Sequence, residues 1–193
     1  MHREVHPNTL RLIGGAVVLF AILAGFWARQ DRLRMALVAA TLQTNPDEVR
    51  RVLQDGADPN ARGQYGETPL MVAASLRDAR SVQFLLDAGA DVHAADAVTG
   101  TTPLLHATLN ASTDPVAGLE TIRLLLQRGA DPRVETDTGL SPYEIALRWQ
   151  ARVSKNPAYF RPERLSSQPS AAAAAELAMH ALVHELLARG AQR

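Results

Sequence analysis

The chain has 193 residues, enough for one ordinary domain and an appended segment, and its 47% hydrophobic content is normal for a globular protein. Twenty basic residues balance twenty acidic ones, so no net charge attracts nucleic acid. The absence of cysteine excludes disulfides, thiolate metal sites and cysteine nucleophiles, and it leaves the redox compartment open. Lysine is nearly absent and alanine is abundant, a composition that suggests a GC-rich bacterial genome.

The first predicted element is an uncharged stretch, residues 12–28. As a helix it spans about 26 Å, near the lower limit for crossing the hydrocarbon core. Arg11 and Arg29 bracket it, and Trp27 stands where an indole would meet the lipid headgroups. A cleaved signal peptide is the alternative, but the stretch ends with only one of the two small residues of a cleavage site. We therefore predict an uncleaved transmembrane signal-anchor helix in contact with the bilayer, after a short tail (residues 1–11).

The basic residues flanking this span do not decide its orientation, because the two sides tie once the free amine is counted. A short tail before an uncleaved apolar stretch is usual for a single-pass protein whose amino end is cytoplasmic. We therefore expect an inner (cytoplasmic) membrane protein with its remaining domain in the periplasm. No glycine or proline interrupts the chain from Ala28 to Ala40, so the membrane helix is expected to continue directly into the next helix.

The remainder of the chain, residues 29–193, repeats one phrase. Gly-Ala-Asp recurs at residues 56–58, 89–91 and 129–131, and Gly190-Ala191 echoes it. Apolar residues ahead of each glycine follow an i, i+3, i+4 pattern, which marks one face of a helix that the glycine ends in a left-handed conformation. A second helix start precedes the last three sets, with a hydroxyl cap followed by proline: Thr68-Pro69, Thr102-Pro103 and Ser141-Pro142. Each copy is therefore a turn, helix A, a loop, helix B and a glycine stop.

This phrase resembles the ankyrin repeat, whose consensus is close to G-x-T-P-L-H-x-A-A, then V-x-x-L-L, then G-A-D-x-N-A. The second copy matches best, with YGETPLMVAAS followed by SVQFLLDAGADVHA. The resemblance implies an all-α solenoid of about four helix-pair repeats, preceded by one transmembrane helix. The expected repeats are residues 33–61, 62–94, 95–134 and 135–193.

Two further features concern single copies. Extra residues near 109–118 and 150–170 are expected as loops between helix A and helix B. The first copy lacks the Thr-Pro start and the last stops at its glycine, so both are expected to cap the stack. Asn45 is expected to cap the first helix B, with Glu48 closing a capping box.

In the ankyrin family the hairpins between helix pairs, here called fingers, and the inner face of helix A bind other proteins, and the resemblance implies the same surface here. The fingers are residues 62–67, 96–101 and 133–140. Their candidate contact residues are Arg62, Gln64, Tyr65, Asp96, Thr99, Glu135 and Asp137. Tyr65 is the best of them, because an aromatic side chain supplies much contact area at little entropic cost. The alternative is that all of them are simply solvated turn residues.

The second insertion is basic, partly aromatic and rich in proline. One interpretation is that it grips an acidic partner through Tyr159, Phe160, Arg161 and Arg164. The alternative, given equal weight, is an insertion without a role that a surface loop tolerates at little cost.

A catalytic interpretation is the least favoured. His180 and His184 lie one helical turn apart and could share a zinc ion in a metal-dependent enzyme. The pattern lacks H-E-x-x-H, however, and the adjacent apolar residues predict a terminal capping helix. We expect no catalytic residue, cofactor, metal or small-molecule substrate.

The predicted function is therefore a membrane-tethered module that binds a protein of unknown identity and does not bind nucleic acid. Within bacteria the resemblance to the ankyrin family allows several roles. One is a periplasmic stress-related accessory protein or scaffold. The alternatives are an immunity protein that neutralises a toxin and an effector directed at a host.

Overall fold

The computed structural model describes residues 7–63, 65–111, 114–155 and 171–191, with side chains in the same ranges except 7–18, 115, 152–155 and 171–180. Within these ranges the chain forms eight α-helices and no β-strand, so the predicted all-α class is confirmed. The helices are α1 (Pro7–Leu42), α2 (Pro46–Gln54), α3 (Pro69–Ser75), α4 (Ala79–Asp87), α5 (Pro103–Asn110), α6 (Pro115–Gln127), α7 (Pro142–Lys155) and α8 (Ala171–Ala191).

The helices pack as four pairs stacked in chain order. Helix A is the carboxyl-terminal part of α1, then α3, α5 and α7, and helix B is α2, α4, α6 and α8. Neighbouring pairs meet through like helices, for example α3 against α5 and α2 against α4. One continuous core runs from Leu37 and Val49 through Leu85 and Ile122 to Leu186. Each pair therefore buries its apolar faces against its neighbours, as a solenoid does.

Helices α3, α5 and α7 begin at the predicted hydroxyl caps. The Thr68 Oγ1 atom accepts a hydrogen bond from the Met71 N–H, and Thr102 accepts one from Leu105, each over 3.4 Å. Ser141 accepts the corresponding bond at the start of α7 over 3.2 Å. Proline follows each cap, where its missing N–H costs no hydrogen bond.

The first helix B begins at the predicted cap but without the predicted capping box. The Asn45 Oδ1 atom accepts a hydrogen bond from the Glu48 N–H over 3.2 Å. The Asn45 N–H donates instead to the Ala40 carbonyl, and the Glu48 carboxylate accepts from the Arg51 guanidinium over 2.9 Å. The Asn45 N–H and the Glu48 carboxylate, which would bond each other in the expected capping box, are thus bonded to other groups.

Three of the four glycine stops form as predicted. Gly56, Gly89 and Gly129 have φ of 94°, 90° and 92°, and the residue after each donates its N–H to the carbonyl five residues earlier. The prediction is wrong for Gly190, which lies inside α8. A Cβ atom there would lie 2.3 Å from the Tyr143 Cδ2 atom. Glycine at this position therefore permits α8 to approach α7 closely.

Most of the described residues of the first insertion (109–111 and 114–118) belong to helices α5 and α6, whereas a loop was predicted over the whole stretch. Helix α6 has 13 residues, whereas the corresponding α4 has 9. Gly118, in the first turns of α6, is buried, and a Cβ atom there would lie 2.8 Å from the Ala111 Cβ atom. Of the second insertion, residues 150–155 continue α7, and residues 156–170 lie outside the described part of the chain.

Helix α1 runs without interruption into the first pair, so the predicted continuity of the helix from Ala28 to Ala40 is confirmed. Every residue from 19 to 29 is exposed, including Phe20 (74%) and Trp27 (70%), whereas Leu37 is fully buried in the stack. Among the described residues, no helix combines the length and apolar character needed to cross a membrane. Residues 12–18 of the predicted span lie outside the described side chains.

Candidate interaction surface

The fingers form a laterally bonded row. Gly66 has φ of 80°, and a Cβ atom there would lie 2.7 Å from the Ala97 Cβ atom of the next finger. The Ala97 N–H donates to the Tyr65 carbonyl, and the Asp137 N–H donates to the Thr99 carbonyl, each over 3.4 Å. These contacts join the first finger to the second and the second to the third. We call residues 62–67, 96–101 and 133–140 together the finger row.

Arg62, a predicted contact residue, is used within the finger row. Its Nη1 atom donates to the Gly66 carbonyl over 2.8 Å and to the Ala95 carbonyl over 2.9 Å. The first bond closes its own finger, and the second reaches the start of the next. The Arg62 Nη1 atom is therefore engaged within the repeat stack, although the side chain is exposed.

Asp96 and Thr99, two further predicted contact residues, hold the second finger together. The Asp96 carboxylate accepts hydrogen bonds from the N–H groups of Val98, Thr99 and Thr101 and from the Thr99 hydroxyl. Partial burial alone would raise the pKa of Asp96, but these hydrogen bonds outweigh burial and lower the pKa to about 2. Asp96 is therefore ionised at neutral pH and organises the turn.

The tips of the first two fingers carry exposed apolar side chains. Tyr65 and Val98 are each 63% exposed. Sequence reasoning selected Tyr65 but missed Val98, although the signal was available, because Val98 stands two residues before Gly100 as Gln64 stands before Gly66. The third finger contributes the predicted residues Glu135 and Asp137, both exposed.

Five predicted contact residues cannot be placed on this surface. Gln64, Tyr159, Phe160, Arg161 and Arg164 lie outside the described residues.

His106 lies on α5, the helix A between the second and third fingers. Its Nε2 atom is buried and has no hydrogen-bond partner among the described residues. Burial lowers the pKa of His106, while the nearby carboxylates of Asp96 and Glu67 act in the opposite direction. The neutral imidazole is thus favoured, which suits a packing role.

Only one of the two histidines proposed for the alternative metal site has a described side chain. His184 is exposed on α8, and His180 lies outside the described side chains. In the described part of the chain, there is no group of three or more His, Asp or Glu side chains that could hold a metal ion.

Comparison with known proteins identifies the repeat. A family model described as "Ankyrin repeats (3 copies)" matches residues 17–96 and 36–136, more than half of the chain. Protein PhlB of Serratia liquefaciens is 39% identical over 133 residues, which cover 65% of this chain and 56% of that protein. Ankyrin repeat and SOCS box protein 6 of Homo sapiens is 42% identical over 106 residues, covering 54% of this chain and 25% of that protein.

A shorter similarity extends to a mitochondrial disaggregase of Bos taurus, 51% identical over 61 residues, which cover 32% of this chain and 9% of that protein. The chain thus spans about half the length of the bacterial relative and a quarter or less of the two animal proteins. What these relatives share with it is the repeat.

Proposed function

The chain belongs to the ankyrin-repeat family, and on that basis we propose that it is a non-catalytic, membrane-tethered module that binds a protein partner. Ankyrin repeats are protein–protein interaction modules. The observation that carries the proposal is the pair of exposed apolar side chains, Tyr65 and Val98, at the tips of adjacent fingers. The hydrogen bonds between the fingers hold both backbones in place before any partner arrives. A preorganised apolar pair loses little entropy on binding and suits an interface centre.

The charges around this pair indicate the chemistry of the partner. The third finger presents the carboxylates of Glu135 and Asp137 to solvent, and the Asp137 N–H joins it to the second finger at Thr99, next to Val98. A partner with an apolar centre and a basic flank would complement this arrangement. We place the contact on the finger row and the adjoining inner face of the A helices.

The membrane tether is supported by the exposed part of α1. Leu19, Phe20, Ile22, Phe26 and Trp27 all face solvent, although they would be buried in an ordinary amphipathic helix. Exposed apolar surface of this extent suits contact with lipid, and residues 12–28 would supply the anchor. The proposed location is the inner membrane of a bacterium with the repeats in the periplasm, where the module would act as an accessory protein.

Helix α1 leaves the stack on the finger side. The Arg29 Nη2 atom donates to the Asp55 carbonyl over 3.2 Å, and the Arg34 Nη1 atom donates to the Arg62 carbonyl over 3.4 Å. These bonds link α1 to the end of the first helix B and to the first finger. With the anchor in a bilayer, the finger row would face the membrane, and the partner would be a membrane protein or a protein held close to the surface.

Site-specific photo-crosslinking in native membranes tests the binding surface. A photoreactive residue replaces Tyr65 or Val98, and the matched control replaces Arg123, which is exposed on α6. We expect one crosslinked protein from both finger positions and none from the control. If Val98→Asp, introduced into the chain that carries the photoreactive residue at position 65, abolishes this crosslinked product, the contact includes the tip of the second finger. An identical product from position 123, or none from the fingers, would contradict the proposed surface.

The tether is tested separately by alkaline washing of membranes. The full chain should stay in the membrane fraction, and a chain lacking residues 1–28 should appear in the soluble fraction. Bilayer distances measured from labels at Tyr65 and at Leu109, an exposed residue near the end of α5, test the orientation. We expect the label at Tyr65 to lie closer. Release of the full chain by the wash would disprove the tether, and a closer Leu109 label would disprove the orientation.

A further inference from the structure

A groove separates the exposed part of α1 from the turn that follows α2. Its volume is about 450 Å³, within the usual range for ligand sites. The residues that line it include Phe26, Trp27, Asp31 and Arg34 on the helix and Gly56 and Asp58 on the turn. The hydrogen bond from Arg29 to the Asp55 carbonyl connects the two walls, so the groove has a defined width.

The position of the groove along α1 selects its occupant. Phe26 and Trp27 are the last aromatic residues of the predicted span 12–28, and both are exposed. In an anchored chain, aromatic residues at this point lie at the level of the lipid headgroups. The groove therefore opens where a phospholipid headgroup is the most abundant ligand.

The charges in the groove indicate which headgroup fits. The Arg34 guanidinium donates two hydrogen bonds to the Asp31 carboxylate, over 2.7 and 3.2 Å. Asp58 stands outside this ion pair, and its Oδ1 atom accepts the Asn60 N–H over 2.9 Å, which orients the carboxylate. An oriented carboxylate beside the exposed indole of Trp27 favours a cation that can donate hydrogen bonds.

A basic residue beside the groove indicates that the ligand also carries a phosphate group. Arg29 is exposed on α1, and its guanidinium bonds the carbonyl of Asp55, the residue before the groove-lining Gly56. Guanidinium groups close to a bilayer surface attract phosphate oxygens. A carboxylate and a guanidinium group at one site together match a ligand that carries both an ammonium and a phosphate group.

We propose that this groove binds the headgroup of a zwitterionic phospholipid with a primary ammonium group, which contacts Asp58 while its phosphate contacts Arg29. This inference rests on the proposed membrane tether. A quaternary ammonium group fits less well, because it has no N–H to donate to the carboxylate. The bound lipid would bridge α1 and the turn after α2 and would brace the stack against the membrane.

Tryptophan fluorescence in vesicles tests the headgroup site. The chain has two tryptophans, so Trp149→Phe leaves Trp27 as the only emitter. The full-length variant is placed in mixed vesicles of phosphatidylethanolamine and phosphatidylcholine, in which one lipid or the other carries brominated acyl chains. We expect brominated phosphatidylethanolamine to quench Trp27 about twofold more than brominated phosphatidylcholine at the same mole fraction, the preference expected of a partly exposed ion pair.

The chain contains a matched control for this experiment. Asp58 and Asp91 occupy the same position in successive repeats, and each accepts the N–H of the residue two places later over 2.9 Å. Only Asp58 lines the groove. Asp58→Asn should abolish the preference for phosphatidylethanolamine, whereas Asp91→Asn should keep it.

Each contrary outcome has a separate meaning. Equal quenching by the two brominated lipids, or a preference that survives Asp58→Asn, disproves the headgroup site and leaves the tether intact. Quenching that disappears as protein is concentrated at constant lipid shows a second copy in the groove, which also disproves the site. Absence of quenching by either lipid disproves the tether and the headgroup site together.

Discussion

The Arg62 guanidinium donates a hydrogen bond to the Ala95 carbonyl over 2.9 Å and thereby joins one finger to the next. The same guanidinium closes its own finger through Gly66. A residue that resembled a contact position in the sequence is thus part of the frame that presents Tyr65 and Val98. The rigidity of the finger row depends on such bonds because its short loops bury little apolar surface.

Arg62→Ala should therefore reduce stability. Two charge-assisted hydrogen bonds to backbone carbonyls are lost, so we expect the free energy of unfolding to fall by about 1–2 kcal/mol. Urea denaturation measures the change, with Arg123→Ala on α6 as the control, expected to stay within about 0.5 kcal/mol of the parent. Equal stability of the two variants would show that Arg62 is only a surface residue.

Asp96 should make part of the stability depend on acid pH. The pKa of Asp96 is about 2 in the folded chain, below its ordinary value of 3.8. The ionised carboxylate therefore stabilises the fold fully above the unfolded pKa, and this contribution is lost as the pH falls from about 4 to about 2. Asp96→Asn should lower the free energy of unfolding by about 1–2 kcal/mol at neutral pH and flatten its pH dependence in that window.

Urea denaturation at several pH values between neutral and 2 measures the Asp96 effect. Asp137→Asn, an exposed carboxylate of the next finger, is the control and should keep the parental acid slope. If the Asp96→Asn variant loses stability in parallel with the parent as the pH is lowered, as the Asp137→Asn control should, the prediction is wrong.

Gly190→Ala should weaken the packing of α8 on α7. Its Cβ atom would lie 2.3 Å from the ring of Tyr143, which is partly buried and has the Arg133 guanidinium 5.2 Å from its centroid, so the ring can move aside only by giving up packing contacts. Overpacking costs about 1–3 kcal/mol, more than the gain in helix propensity of about 1 kcal/mol. Thermal denaturation should show the loss. In a Tyr143→Ala background the same substitution should become neutral or stabilising; an undiminished loss there would mean that the ring is not the obstacle.

Val98→Asp should abolish partner binding with little effect on folding. The side chain is 63% exposed, so the stability should change by no more than about 0.5 kcal/mol, while a charge at the centre of an apolar contact should cost tenfold or more in affinity. Titration with the partner identified by crosslinking measures the change. Val116→Asp is the control, because Val116 is 54% exposed on α6. Equal affinities of the two variants would place the binding site elsewhere.

The sequence by itself determined the repeated unit, because its signals are local. A hydroxyl residue before proline caps a helix through atoms three residues away, as at Thr68. A glycine ends a helix when the residue after it donates to the carbonyl five residues earlier, as at Gly56 and Ala57. The period of these signals was enough to predict the repeated helix pair, and the resemblance of the phrase to the ankyrin consensus implied the stack and the family. Tyr65 could be selected in the same way, from residue type and position in a finger.

Only the tertiary structure decided features that depend on distant parts of the chain. Gly190 has the sequence context of a helix stop, but the Tyr143 ring of another helix explains why it must be glycine. Arg62 resembles a free surface residue until the Ala95 carbonyl of the next repeat is in place. Packing between repeats sets which side chains are engaged and which remain exposed, because stacking brings together atoms about one repeat apart in sequence, and local patterns contain no record of those contacts.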